Sequence, residues 1–294
     1  MNLSDLFYLH FRVRLCYYVR MAKVGQMLSR LCLLFTEAMN MTDKLKLYGF
    51  NNLTKALSFN IYDVCYAKTR REQEEYIAYI DEQYNAERLT GILLRVVDMI
   101  GAHVLHISSQ DYDPQGSSVT LLISGSPLDR MRSEATLAHL DKSHVTVHTY
   151  PEHHPENSIA TFRVDIDVAT CGEITPLNAL DFLIGNFDSD IITMDYRVRG
   201  FTRDVDGKKH FIDHDISSIR DFIAPETLER YDSVDINLGE TNLFHTKMLI
   251  REIDLQNYLF NTDAYILSPD LQHSVEDSLR REMMEIYSGR SMFN

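Results

Sequence analysis

Cysteine is scarce in this chain. Four occur in 294 residues, Cys16, Cys32, Cys65 and Cys171, and no two fall at the paired spacing of a disulfide framework or a zinc site. This usage implies a reducing, cytoplasmic setting. Long apolar runs are missing too, because arginines interrupt the apolar N-terminal stretch before it reaches the roughly 18 residues of a transmembrane helix. Positive charge is in deficit: 29 Lys and Arg stand against 43 Asp and Glu, a net of −14. An acidic surface of this kind argues against nonspecific partnership with nucleic acid or an anionic membrane, and it suits a cationic small molecule. Proline and glycine number 7 and 12 while hydrophobic residues make up 45%, enough for the core of one large or two fused globular units.

The first 40 residues differ in character. Arg12, Arg14, Arg20, Lys23 and Arg30 oppose only Asp5 and Glu37, giving a net of +3 in an acidic chain. Those arginines break any signal-peptide apolar region, and no clear small-residue cleavage site follows. Residues 1–40 read as an extension ahead of a natural start at Met41. A basic amphipathic helix on a membrane surface is the alternative.

From Met41 the chain alternates strand-like and helix-like patterns. Segments 44–48 and 58–62 read as strands around the Gly49-Phe50-Asn51-Asn52 turn, and 72–84 and 86–100 show helical spacing of apolar residues. Segments 103–107 and 119–123 read as strands about Pro114-Gln115-Gly116. An irregular polar connection, 125–138, precedes a strand containing Val145 and Val147. After a strand over 160–170, Thr175 reads as an N-cap with Pro176 at the first helical position and Leu177, Leu180, Ile184 and Phe187 as the apolar stripe. A strand over 191–198 and a closing helix over 274–287 complete the pattern. The fold class is α+β, with helices packed on one face of a largely antiparallel sheet.

Taken singly, the chemically capable residues have plain structural readings. Ser143 and His148 flank a β pattern of Val145, Thr146 and Val147. His148, His153 and His154 lack acidic or cysteine partners at ligand spacing. Cys171 alone is a small hydrophobe.

Together they form a recognisable series. Lys142-Ser143-His144-Val145-Thr146-Val147-His148-Thr149-Tyr150-Pro151-Glu152 joins Leu45 to Thr54 (LKLYGFNNLT), Asp113-Pro114-Gln115-Gly116-Ser117-Ser118, Thr170-Cys171-Gly172 and Tyr196 to Asp204 (YRVRGFTRD). In that order they resemble segments of the pyruvoyl-dependent S-adenosylmethionine decarboxylases, in the long, magnesium-activated bacterial form. The resemblance runs from Met41 to the C-terminus and implies a two-layer α/β sandwich. It also implies self-cleavage between Lys142 and Ser143, dividing the chain into a 41–142 β chain and a 143–294 α chain.

In that cleavage the Ser143 hydroxyl attacks the Lys142 carbonyl, turning the amide into an ester. Loss of the Ser143 Cα proton expels the Lys142 carboxylate, and the dehydroalanine left behind hydrolyses to a pyruvoyl group with release of ammonia. By resemblance His148 is the proton acceptor in processing, a task suited to imidazole. Ser118 supports the acyl shift, and Cys171 donates the proton to the substrate α-carbon during turnover. The pyruvoyl carbonyl, derived from Ser143, forms a Schiff base with the substrate and takes up the electrons of decarboxylation. The implied reaction converts S-adenosylmethionine to its decarboxylated form and carbon dioxide, for spermidine synthesis. Phe50 is the candidate to stack on adenine.

Residues five apart on a strand point to opposite sides of the sheet, so His148 should not reach the Ser143 of its own chain. A second copy is expected to supply the base, and the resemblance implies a tetramer of αβ heterodimers. Lys142 replaces the Glu of the short and eukaryotic forms. His210 and His214, i and i+4 beside Asp213 and Asp215, look like a metal-binding turn, but magnesium prefers oxygen. They are read as structural histidines, leaving magnesium, if it activates, without assigned ligands. Pyruvoyl-dependent ornithine or arginine decarboxylation, a nonprocessing regulatory partner and a metal hydrolase are the other readings.

Overall fold

In the computed structural model, residues 45–49, 51–125, 143–154 and 158–292 are described. Phe50, Lys142, residues 1–40 and nearly all of the 125–138 connection lie outside them. The compact unit of interest begins at Leu47.

Strand β1, Thr54–Tyr66, turns Leu57, Phe59 and Ile61 inward at alternate positions, each at most 1% exposed. Burial of one such side chain is worth about 1.5–3 kcal/mol. Helix α1, Arg70–Gln83, starts at a capping box in which Thr69 and Glu72 exchange side-chain and backbone hydrogen bonds. Helix α2, Ala86–Met99, is capped by Asn85 and buries Leu89, Ile92, Leu93, Val96 and Val97. Strands β2, His103–Asp111, and β3, Ser117–Ser124, follow. Then come β4, His144–His153, and β5, Ile159–Cys171. A short 3-10 turn at Pro176–Ala179 leads into α3, Leu180–Ile184, and β6 spans Ile191–Arg199.

The remainder holds a small hairpin of β7, Thr202–Arg203, and β8, Lys209–His210. Helix α4, Pro225–Leu228, and strands β9, Tyr231–Asp235, and β10, Leu243–Ile250, precede α5, Pro269–Ser288. Among the described residues, eight strands form one antiparallel sheet in the order β2-β3-β4-β5-β1-β6-β10-β9.

Residues of α1, α2 and α3 join Leu57, Phe59, Val145, Val147, Val164 and Ile166 in the main core on one face of the sheet. Alternation places Tyr62, Ile191 and Leu249 on the opposite face, where Val275, Leu279 and Met283 of α5 cover them. The rest of that second face, across β3, β4 and β5, carries polar side chains: Ser118, Thr120, Thr146, His148, Asp165 and Asp167.

Helices cover both faces of the sheet rather than one, because the apolar stripe of α5 packs on the second face, and two local expectations also change. Segment 45–48 forms no strand; Leu47 makes one bridge to Asp204 and the Tyr48 amide donates to the Arg203 carbonyl at 2.8 Å. Gly49 at φ +75 turns the chain away from further pairing there. Thr175 precedes Pro176 as expected, but its side chain makes no cap bond. The turn it starts is 3-10, which tightens the chain between β5 and the short α3.

Candidate active site

Ser143 lies immediately before β4 and is 5% exposed. Its carbonyl accepts from the Ile123 amide at 3.1 Å, fixing it against β3. The Ser143 hydroxyl donates to the Cys171 sulfur at 3.5 Å. Cys171 is the last residue of β5, opposite Thr54 of β1. The turn beyond it is held at three points: the Gly172 amide donates to the Leu53 carbonyl at 3.1 Å, the Thr170 hydroxyl donates to the Ile174 carbonyl at 3.1 Å, and the Lys55 ammonium donates to the Gly172 carbonyl at 3.0 Å. Gly172 has φ +74, a conformation that glycine adopts without strain.

His148 sits five residues along β4, on the polar face. Five residues at about 3.3 Å each put its Cα roughly 16 Å from that of Ser143. Ser118 of β3 is its partner in register on one side and Asp165 of β5 on the other. The Tyr112 hydroxyl donates to Ser118 at 2.7 Å. Asp165 accepts from Asn60 and lies 3.2 Å from the Arg163 Nε, while the Arg163 guanidinium stands 4.1 Å over the Tyr150 ring. Tyr150 in turn stacks beside His148, their rings 6.4 Å apart. One chain thus holds two pairs of predicted site residues, Ser143 with Cys171 and Ser118 with His148, and keeps them apart.

Beneath the Cys171 turn lies a buried polar chain. Lys55, 1% exposed on the apolar face of β1, pairs with Asp213 at 2.8 Å. Asp213 also accepts from Asn51 at 2.8 Å and bonds the His214 Nδ1 at 2.8 Å, and the His214 Nε2 meets the Tyr196 hydroxyl at 3.1 Å. Burial alone would raise the Asp213 carboxyl. The hydrogen bonds from His214, Lys55 and Asn51, with the Lys55 charge, outweigh it and hold the carboxyl well below the usual carboxylate range. Burial, with the Asp213 charge, pushes the Tyr196 hydroxyl far up. Removing one member of such a buried ion pair costs about 3–5 kcal/mol.

The family model described as S-adenosylmethionine decarboxylase matches residues 75–200. Relatives match over far more of the chain. The S-adenosylmethionine decarboxylase proenzyme of Clostridium beijerinckii is 66% identical over 270 residues, covering 87% of this chain and 100% of the relative. The proenzyme of Clostridium botulinum strain Alaska E43 is 65% identical, covering 87% and 99%. That of Alkaliphilus oremlandii is 62% identical over 264 residues, covering 85% and 98%. The chain belongs to the S-adenosylmethionine decarboxylase family.

In this decarboxylase-family chain, Lys55 and Asn51 lie beneath the Cys171 turn with no site reading from the sequence, in which Asp213 stands only as a neighbour of His210 and His214. A signal existed for Lys55: it occupies the inward position of the series Lys55, Leu57, Phe59, Ile61, where a charge needs a partner. Nothing in the sequence names Asp213 as that partner, 158 residues away. His210 and His214, read as structural, bond different carboxylates: His210 Nε2 lies 2.8 Å from Asp204. Among the described residues, no group of three or more His, Cys, Asp or Glu is arranged to hold a metal ion. Nor is any helix among them long and apolar enough to cross a membrane.

Proposed function

We propose that this chain is a proenzyme that cuts itself between Lys142 and Ser143 and then decarboxylates S-adenosylmethionine. The observation that carries the reading is the 3.5 Å contact between the Ser143 hydroxyl and the Cys171 thiol. A thiol within reach of a buried hydroxyl at the start of a strand supports the reading of Cys171 as proton donor. The names of the relatives at 62–66% identity support the substrate. Segments 41–142 and 143–294 become the two chains.

Each residue has a task its position suits. Ser143 supplies the hydroxyl that attacks the Lys142 carbonyl, and its residue becomes the pyruvoyl terminus. That group, once formed, draws electrons from the substrate α-carbon as carbon dioxide leaves. The residues present fit it: a buried serine, a thiol within reach and, beyond the thiol, a turn held by three hydrogen bonds. Cys171 holds a proton for the substrate α-carbon. His148 takes the Cα proton during processing, and Ser118, in register beside it, steadies the acyl shift through its hydroxyl.

The separation of roughly 16 Å between Ser143 and His148 supports a base donated by a second copy. The polar face across β3, β4 and β5 is then the surface on which two αβ units meet, and a tetramer of such units is the assembly.

Intact mass spectrometry of the purified protein, beside Ser143→Ala, tests the reading. Two chains breaking before residue 143, the second with a pyruvoyl terminus, are expected, with a single chain in the variant. Release of carbon dioxide from S-adenosylmethionine, and none from ornithine or arginine, fixes the substrate. A folded, uncut wild-type chain would sink the proposal.

A further inference from the structure

We infer that the buried Lys55–Asp213 pair is a positioning device for Cys171, clamping the turn after it so that the thiol stays at Ser143. The inference rests on the reading of Cys171 as proton donor and extends it to residues outside the Ser143–Cys171 contact.

The connection is short. The Lys55 ammonium donates to the carbonyl of Gly172, the residue next to Cys171, at 3.0 Å, and to Asp213 at 2.8 Å. The first bond fixes the plane of the peptide that leaves Gly172, and the Gly172 amide bond to Leu53 fixes the one that leaves Cys171. The sulfur therefore has little freedom to drift from its 3.5 Å contact. Asp213 is itself immobilised by Asn51 and His214, and His214 by Tyr196, which is fully buried in β6. The clamp is thus anchored in the sheet, although Asp213 comes from the segment between the small hairpin and the helices that follow.

A buried ion pair is a poor way to gain stability, since apolar residues of similar volume commonly do as well or better. Lys55 occupies a position where Leu57, Phe59 and Ile61 set the pattern, and a hydrophobic residue there would pack without desolvating a charge. What a hydrophobe could not do is reach the Gly172 carbonyl. Proton transfer to a carbon centre depends on donor placement, and a misplacement near 1 Å costs on the order of 10²-fold in rate.

The test uses the self-cleaved enzyme carrying Lys55→Met with Asp213→Asn, which removes both charges together, and Asp213→Asn alone, which leaves the Lys55 ammonium able to reach Gly172 but without its ion partner. Cys171→Ala is the reference. Thermal melting shows whether each variant folds, and intact mass whether it is cut. The double variant is expected to fold, to cleave, and to lose kcat on the order of 10²-fold with KM near wild type. Asp213→Asn alone moves kcat the same way by less.

A second readout is independent of turnover. In the uncut Ser143→Ala background, the rate of Cys171 alkylation by iodoacetamide rises several-fold when the pair is removed. Wild-type kcat and alkylation rate in folded variants would overturn the inference. If Cys171→Ala itself keeps wild-type kcat, the donor reading falls. The alkylation rate then still decides whether the pair holds the turn.

Discussion

The Ser143 hydroxyl donates to the Cys171 sulfur across 3.5 Å, tying the start of β4 to the end of β5. Twenty-eight residues of chain separate them, yet antiparallel pairing returns β5 to the same end of the sheet. The site is a property of register: His144 opposite Ala169 puts Ser143 level with the close of β5.

Removing the thiol should separate maturation from turnover. Cys171→Ala is expected to cleave before Ser143 and to lose about 10²–10⁴-fold in kcat, the usual contribution of a positioned acid. Mass spectrometry and carbon dioxide release measure the two steps. An uncut Cys171→Ala chain would mean that the thiol serves cleavage as well.

His148 gives a test of shared sites. His148→Ala and Ser143→Ala chains should each stay whole when made alone. Coexpressed, the His148→Ala chain should be cut, because its Ser143 meets the intact His148 of a Ser143→Ala partner. A mixture that stays whole would show that the base serves its own chain.

Much of the architecture could be read from side-chain periodicity. Leu89, Ile92, Leu93, Val96 and Val97 spell out α2, and Val145 and Val147 mark the inward face of β4. The faces of Ser143 and His148 followed from counting alone. Phe50, expected to stack on adenine, and Lys142, expected to carry the scissile carbonyl, lie outside the described residues. Strands β9 and β10 were not foreseen, because Thr246 and Lys247 interrupt the apolar pattern. Thr246 is buried all the same, its hydroxyl donating to Asp235 at 2.8 Å, and Lys247 donates to the Tyr287 carbonyl. Such long-range pairing satisfies polar groups that composition alone counts as exposed.

Gly116 carries a backbone demand that no other residue meets. At φ +90 it sits where an added Cβ would lie 2.6 Å from the Thr149 carbonyl oxygen. Gly116→Ala should destabilise by about 1–3 kcal/mol for the backbone alone, with the overlap in addition. Ser117 and Ser118 follow directly, so cleavage should slow as well. A melting temperature equal to wild type would contradict this.

Two carboxyls at the far end of β1 set a pH dependence. Asp63 and Asp190 hydrogen-bond each other, which needs one of them protonated. Burial, with the charges of Asp190 and Asp188, pushes Asp63 well up. Burial likewise pushes Asp190 up to about 6, against hydrogen bonds from Tyr258 and the Val64 amide. A carboxyl raised in the fold contributes stability that is complete below its ordinary value of 3.8 and lost as pH climbs through about 6. Asp63→Asn should flatten this slope, since its amide can donate to Asp190 while its oxygen still accepts from Tyr76. Melting temperatures taken from pH 4 to 7 would tell: a variant with the wild-type slope would refute the assignment.

Strand order governs what a cut before Ser143 can do. Strands β1, β2 and β3 lie upstream of it and β4, β5, β6, β9 and β10 downstream. Yet β1 is seated between β5 and β6, and β4 between β3 and β5. The two products would interlock like the fingers of clasped hands, with β1 in register with β5 along all thirteen of its residues. Maturation would sever the covalent thread without releasing either piece, since each piece lends strands to the other's half of the sheet. The nick is a chemical event that the architecture would scarcely register, and only a denaturant should draw the halves apart.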